Sequence, residues 1–190
     1  MKKKNRTRNY LLILMGFIFL STNSCKKEND TVLKIGDGYQ GGIIAYLLVQ
    51  GDAGYDANVP HGLIAAPTDQ STGIMWWNGS SSITGATATA YGTGNANTNT
   101  IVTSQGAGSY AAKLCSDLVL GGYSDWYLPS KDELFILYTN RLVIGNFDSS
   151  NYWCSSEVST GTALLYSFSI NLQGSGGKGY LANVRSVRTF

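Results

Sequence analysis

Apolar runs and strict alternation of apolar and polar residues predict six strands along this chain. The predicted strands are Gly42–Val49, Gly62–Ala66, Gly73–Asn78, Tyr152–Ser155, Leu164–Leu172 and Tyr180–Arg188. A glycine-rich stretch, Gly174–Gly179, separates the last two strands, so we expect a hairpin turn there. Together these strands predict an antiparallel sheet.

Helical spacing of apolar residues appears in two segments. Ala111–Leu118 carries apolar residues on one face of a helix. A second helix is expected to begin at the capping-box pair Ser130 and Glu133 and to run to about Asn140. The aromatic corner Trp126–Leu128 before it is expected in the core. The predicted fold class is therefore α+β: a single domain with an antiparallel sheet, two helices and long loops rich in Gly, Ser and Asn.

The segment from Asn78 to Thr103 is mostly Gly, Ser, Thr, Asn and Ala, which predicts a long irregular loop. A loop of this length inside a domain is usually functional or disordered. Trp76, Trp77 and Tyr91 flank or interrupt it and are our candidate ligand-binding residues, since aromatic rings stack on sugars while Asn and Ser bind hydroxyls. The alternative is that these rings plug the edge of the sheet.

The first residues have the order of a secretory signal. Five Lys and Arg residues within Met1–Arg8 precede the apolar run Tyr10–Leu20, which is short for a membrane-spanning helix. With Cys25 directly after this region, the arrangement resembles that of a bacterial lipoprotein. The resemblance implies a signal peptide over residues 1–24, acyl chains on Cys25, a polar tether over residues 25–33 and an outer-membrane lipoprotein whose domain spans residues 34–190. The alternative is an ordinary secreted protein in which Cys25 is incidental.

Charge excludes one class of partner. After removal of residues 1–24, nine Lys and Arg residues remain against twelve Asp and Glu residues, a net charge of −3. A weakly acidic domain without a Lys/Arg run argues against nucleic-acid binding. The expected partners are a membrane, through the N-terminal lipid, and an extracellular glycan or protein.

Two cysteines remain in the predicted domain, and two interpretations of them stay open. In an oxidising compartment Cys115 and Cys154 could form a disulfide. They could equally be two separate buried thiols. With His61 as the single histidine, the set makes a poor zinc site, and we expect a structural hydrogen bond for His61.

The charged residues near the C-terminus predict a structural ion pair rather than catalysis. Arg185 and Arg188 lie three positions apart in a predicted strand and so point to opposite faces. One of them should pair with a buried acid such as Asp125 or Glu157. No metal spacing, activated nucleophile or phosphate loop is present, so we assign no catalytic residue, metal or cofactor.

Several short motifs carry a family resemblance. They include Gly122–Trp126 (GYSDW), Leu128–Leu134 (LPSKDEL), Ser155–Glu157 and Val184–Arg188 (VRSVR). Shorter matching motifs begin at Ile35–Asp37. On these motifs the chain resembles the C-terminal domain family of the Legionella collagen-like adhesin over nearly all of residues 35–190. One departure is Cys154, where the family usually has serine.

The resemblance implies a function as well as a fold. More distantly, the helix start and the arginine-bearing last strand are similar to the C-type-lectin-like and formylglycine-generating-enzyme folds. We therefore expect a lipid-anchored cell-envelope binding module or adhesin that recognises glycan or protein through its loops. The alternatives are an enzyme acting on envelope glycans and a structural component of the cell surface.

Overall fold

The computed structural model describes residues 32–190. The predicted leader, the predicted lipidation site Cys25 and the predicted tether as far as Thr31 lie outside the described residues. No helix in the described part of the chain has the length and apolar character to cross a bilayer.

Residues 32–190 form nine strands and four helices. The strands are β1 (Gly38–Tyr39), β2 (Gly42–Leu47), β3 (Gly62–Ala65), β4 (Ser71–Ile74), β5 (Asn151–Glu157), β6 (Thr162–Ser167), β7 (Leu172–Gly177), β8 (Ala182–Val184) and β9 (Val187–Thr189). The helices are α1 (Gly94–Gln105), α2 (Ala111–Ser116), α3 (Lys131–Thr139) and α4 (Arg141–Ile144). This content confirms the α+β class, but there are two sheets and four helices where we predicted one sheet and two helices.

The first sheet joins the two ends of the described chain. Its strand order is β1-β2-β3-β9, with all neighbours antiparallel and Ile64 opposite Arg188. His61 Nδ1 lies 3.1 Å from the carbonyl oxygen of Phe190, which is the structural hydrogen bond expected for this histidine. The C-terminal strand is thereby fixed beside β3.

The second sheet has the order β4-β8-β5-β6-β7. The antiparallel prediction is wrong at one junction, where β5 and β8 run parallel and Tyr152 lies opposite Asn183. Residues 178–181 lead from β7, at one edge, to β8 on the far side of β5 and β6, and the chain enters β8 in the direction of β5. Tyr180, within this connection, packs edge-on against the Trp153 ring, with 6.3 Å between the ring centres.

The predicted hairpin lies at a different place from the glycine-rich stretch. Strand β6 ends at Ser167, and a four-residue turn joins it to β7, so the hairpin lies here. Within this turn Asn171 has a positive φ of 54°. Three glycines of the stretch, Gly174, Gly176 and Gly177, lie in β7 instead. Gly176 packs closely on β6, since a Cβ at this position would lie only 2.8 Å from Leu165 Cδ2. The last predicted strand divides into β8 and β9.

The last ten residues of the predicted 78–103 loop lie in helix α1. Asparagine and threonine are weak helix formers, so tertiary contacts must support this helix. The Asn97 amide donates to the Ala88 carbonyl at 2.7 Å, and the Thr98 hydroxyl accepts from the Leu128 amide at 3.0 Å. Ile101 is fully buried. Residues 75–93, by contrast, form neither helix nor strand.

The capping box at the start of α3 is confirmed. Ser130 accepts from the Glu133 amide at 3.3 Å, and the Glu133 carboxylate accepts from the Ser130 amide at 2.7 Å. Glu133 is buried, which raises its pKa, and it also accepts from the Gly92 amide at 3.0 Å. A Cβ on Gly94 would lie 2.2 Å from this carboxylate, so α1 must begin with glycine here.

The core consists of three clusters of buried apolar residues, and the two cysteines lie in different ones. Both are free thiols, so the disulfide alternative is wrong and the interpretation as separate buried thiols is right. Burial raises the pKa of each thiol to about 12. Trp126–Leu128 is buried as predicted.

Candidate functional site

The three aromatic residues proposed as a binding site do not come together. Trp76 is fully buried, and its indole N–H donates to the Cys154 carbonyl at 2.9 Å, so no face of the ring is open to a ligand. Trp77 is half-buried and packs against the same cluster as Trp76. Tyr91 is also half-buried but packs against a different cluster, with its ring 5.7 Å from that of Tyr46. For Trp76, core packing is therefore the correct interpretation.

Arg188 and Asp125 form the ion pair that the sequence predicts. The guanidinium holds both carboxylate oxygens, with Nε 2.7 Å from Oδ1 and Nη2 2.9 Å from Oδ2. Hydrogen bonding to Arg188 keeps the pKa of Asp125 below its usual range. The Asp125 side chain is 52% exposed, so this pair lies at the surface and the prediction of a buried acid is wrong for Asp125.

Glu157 pairs with Lys178 rather than with an arginine, which corrects the predicted partner. Both side chains are buried, and the Lys178 ammonium lies 4.7 Å from the centre of the Trp76 ring. Glu157 also accepts from the amides of Thr84 and Gly85, each at 2.9 Å. Burial raises the pKa of Glu157, but Lys178 and the two amides outweigh it and leave the pKa below its ordinary value. This cluster fixes residues 82–86.

Arg185 pairs with Asp69, a residue that we had not assigned to an ion pair. The Arg185 side chain is fully buried, and its Nε donates to Asp69 Oδ1 at 2.6 Å. Its other nitrogens donate to the carbonyls of Ala66, at 3.1 Å, and of Asn146. The guanidinium carbon lies 4.0 Å from the centre of the Phe147 ring. Arg185 therefore supports the loop of residues 145–149 from below.

A second set of hydrogen bonds fixes the same loop. Tyr152 donates its hydroxyl hydrogen to Asp69 at 2.7 Å and accepts from the Asp148 amide at 2.8 Å. The Asn183 amide bridges the carboxylates of Asp69 and Asp148, at 3.2 Å to each. Burial and the hydrogen bond to Asp69 raise the pKa of Tyr152. The 145–149 loop is thus held at two points by buried polar groups.

Above this support the 145–149 loop borders an open cleft of about 270 Å³, which we call the loop cleft. It is lined by Arg141, Leu142, Gly145, Asn146, Phe147, Asp148, Ser149 and Phe168. The polar groups of the lining are the Arg141 cation, the Asp148 carboxylate, the Asn146 amide and the Ser149 hydroxyl. Three of the other four residues have apolar side chains. The volume is just below the range of about 300–1,000 Å³ usual for drug-sized ligands, so the cleft suits one terminal group of a larger ligand.

A second opening of about 290 Å³, the β7 groove, borders strands β6 and β7 of the second sheet. It is lined by Asn151, Leu165, Ser175, Gly176, Gly177 and Tyr180. Its floor is glycine backbone and Leu165, and none of its residues is charged. It therefore offers shape and backbone more than polar side chains.

Sequence reasoning missed the residues of the loop cleft, the pairing of Asp69 with Arg185, and the buried cation Lys178 that pairs with Glu157. One signal was available: Gly145-Asn146 stops α4, and both residues take positive φ, 80° and 58°. Such a stop followed by the polar run Asp148–Asn151 marks an ordered loop rather than a simple connection. Within residues 32–190, no three His, Cys, Asp or Glu residues are grouped so as to hold a metal ion.

A family model described as the Lcl C-terminal domain matches residues 66–188, so the first three strands, β1 to β3, lie before the matched range. The fold is similar to that of a fimbrial protein from Bacteroides ovatus, with a TM-score of 0.51 and 18% sequence identity. The similarity covers 77% of this chain and 43% of that protein, so this chain spans less than half of its length. No curated protein matches the chain.

Proposed function

Because the chain belongs to the Lcl C-terminal domain family, we propose that it is an adhesin-type binding module of the cell surface that recognises a glycan through the loop cleft. The module is non-catalytic, and its scaffold is C-type-lectin-like. Cys25 carries the lipid that anchors it as an outer-membrane lipoprotein.

The lining of the loop cleft is the observation that carries this proposal. A sugar presents hydroxyl groups on its edges and apolar C–H groups on its faces. Arg141 and Asn146 donate hydrogen bonds, Asp148 accepts them and Ser149 does both. Phe147 provides an apolar wall beside these groups. Both signs of charge are present, which favours a hydroxyl-rich ligand over a strongly anionic one.

The rigidity of the support adds to the case. A binding loop that is fixed before the ligand arrives loses less conformational entropy on binding. Arg185 and Tyr152 hold the 145–149 loop through its backbone, and Asp69 holds both of these side chains. Buried polar groups of this number beneath a surface loop cost desolvation, and a positioning role explains their presence.

The carboxylates give less support to the alternative of an enzyme. Glu133 closes a helix cap, and the acids Asp69, Asp125 and Glu157 are each held by a cation. Asp69 shares the Asn183 amide with Asp148 of the loop cleft, but Asp69 is buried and ion-paired with Arg185, unlike the two carboxyl groups that flank a glycosidase's substrate. An experiment distinguishes our proposal from the alternative that the chain is a structural component without a small ligand.

The test is a glycan array probed with the purified chain and two variants. Arg141→Ala removes a cation from the loop cleft, and Lys113→Ala removes a similarly half-exposed cation from α2 as the matched control. We expect binding to a restricted set of glycans that Arg141→Ala weakens about tenfold or more, since a hydrogen bond to a charged group contributes about 1.5–3 kcal/mol. Lys113→Ala should bind like the unmodified chain. An array without any bound glycan, or equal binding by both variants, would contradict the proposal.

A further inference from the structure

Strand β7 is an open edge of the second sheet. Its ladder to β6 is continuous over six residue pairs, from Thr162 opposite Gly177 to Ser167 opposite Leu172. Beyond it, the Lys178 amide donates to the Gly161 carbonyl, so the even-numbered residues direct their N–H and C=O groups toward β6. In the described part of the chain, Gln173 and Ser175 therefore direct their backbone groups away from the sheet and have no backbone partner.

This edge lacks the features that normally protect an open strand. Native edges are usually short, bulged, charged or interrupted by proline. Residues Leu172–Gly177 (LQGSGG) contain no charge and no proline, and their ladder has no bulge. The opposite edge of the same sheet, β4, has an irregular register between Ser71 and Ile74.

The two faces of β7 differ, and one carries both a projecting side chain and a recess. Opposite residues of antiparallel strands point to the same face, so Leu172, Gly174 and Gly176 share the face of Leu165. Leu172 is 57% exposed and is the only large side chain on that face of β7. Gly176 lies in the β7 groove, four residues along the same face.

We propose that β7 pairs antiparallel with β7 of a second copy of this chain, with Gly174 opposite the partner's Gly174. In this register Leu172 lies opposite the partner's Gly176 and fills the partner's β7 groove, and the symmetry repeats the contact. Gln173 and the partner's Ser175 exchange backbone hydrogen bonds, because both direct these groups outward. The pairing joins two five-stranded sheets into one of ten strands.

A second copy fits this edge better than an unrelated strand for two reasons. The projecting leucine and the glycine recess are separated by the interval that a two-fold axis at Gly174 requires. The strand is also uncharged, so two copies meet here without like-charge repulsion although the predicted mature chain is acidic. The inference does not rest on the proposed glycan site, since the loop cleft shares no lining residue with the β7 groove.

Cysteine crosslinking of the full chain tests the register. Gly174→Cys places two thiols directly opposite in a pair without hydrogen bonds, where Cα atoms lie about 4.5 Å apart, within the range of disulfides. Gly177→Cys is the matched control on the same strand, because the two copies of residue 177 would lie about 20 Å apart along the strands. Neither glycine has positive φ, and a Cβ at either meets its nearest atom at 3.8 Å or more. Cys25, Cys115 and Cys154 are common to both variants.

On a non-reducing gel after mild oxidation, we expect a covalent dimer with Gly174→Cys and only the background of the unmodified chain with Gly177→Cys. Adding Ser175→Lys to Gly174→Cys should abolish the dimer by placing a charge on the edge, whereas Thr72→Lys on the β4 edge should not. Equal crosslinking by Gly174→Cys and Gly177→Cys would overturn the proposal. Crosslinking that persists with Ser175→Lys would also overturn it.

Discussion

Two fully buried cations, Arg185 and Lys178, each fix a loop, but only the first lies beneath an open cleft. Arg185 spreads its donors over Asp69 and backbone carbonyls on both sides, including Asn146 of the 145–149 loop. Lys178 forms an ion pair with Glu157, donates a hydrogen bond to the Ser82 carbonyl and lies against the buried Trp76 ring. The planar guanidinium connects several segments, whereas the ammonium acts as a point charge.

The difference separates stability from recognition. Both cations pay a desolvation cost that their partners offset, so the fold should depend on both. Only Arg185 contacts a loop whose side chains line a cleft. Substitutions at Lys178 should therefore change stability alone, and those at Arg185 should change stability and glycan binding together.

The largest effect is expected for Lys178→Met, which leaves the Glu157 carboxylate buried without its cation. Loss of one partner of a buried pair costs about 3–5 kcal/mol in the free energy of unfolding, measurable by urea denaturation. Removing the second charge as well, in Lys178→Met with Glu157→Gln, should restore part of the loss. Glycan affinity of the folded protein should stay unchanged, and a loss below about 1 kcal/mol would argue against an essential pair.

A somewhat smaller effect is expected for Arg185→Lys. One ammonium cannot replace the bonds to Asp69, Ala66 and Asn146, so the free energy of unfolding should fall by about 1.5–3 kcal/mol. Glycan affinity should fall with it, because the 145–149 loop loses its support. Arg188→Lys is the control, since it disrupts the pair with the half-exposed Asp125 and does not touch the loop cleft. The same loss of affinity in both variants would remove the distinction between the two regions.

Acid should affect Glu157 and Glu133 in opposite senses. The pKa of Glu157 is lowered in the folded state, so its contribution is present above the unfolded pKa and is lost as pH falls through the folded pKa. The pKa of Glu133 is raised by burial, so its contribution is present at low pH and is lost as pH rises through the folded pKa.

Between about pH 6 and about pH 3, the free energy of unfolding of Glu157→Gln should therefore fall less than that of the unmodified chain. The difference is about 1.4 kcal/mol for each unit by which the folded and unfolded pKa values of Glu157 differ. Glu133→Gln should lose more over the same range. Urea denaturation at several pH values measures both slopes, and slopes that change in the same direction would contradict the assignment.

The smallest effects compare the loop cleft with the aromatic residues first chosen from the sequence. Ser149→Ala should weaken glycan binding by about 0.5–1.5 kcal/mol, the contribution of one neutral hydrogen bond. Trp77→Ala should leave affinity unchanged, because Trp77 packs against the cluster of Trp76 and not at the loop cleft. Titration calorimetry of the two variants makes the comparison, and the reverse order of losses would favour the 75–93 segment as the site.

Local chemistry explains which elements the sequence could predict. The capping box of Ser130 and Glu133 spans three residues, so its spacing alone locates the start of α3. The glycines of β7 misled the hairpin prediction because glycine serves both a turn and a strand packed closely on Leu165. Only the structure distinguishes these two uses.

Long-range contacts explain what the sequence could not predict. Asp69 lies 116 residues before Arg185, and no local pattern joins them. Helix α1 has poor helix-forming composition and depends on side-chain bonds of Asn97 and Thr98 to distant carbonyl and amide groups. The loop cleft combines α4, the 145–149 loop and Phe168, so its residues look like an ordinary polar connection in the sequence.

Hydrogen–deuterium exchange of the purified chain, with and without a glycan selected on the array, tests the central claim most directly. We predict slower exchange on binding in residues 141–149 and unchanged exchange in residues 75–93. Protection of residues 75–93 with no change in residues 141–149 would contradict the claim that the cleft above Arg185 binds the ligand.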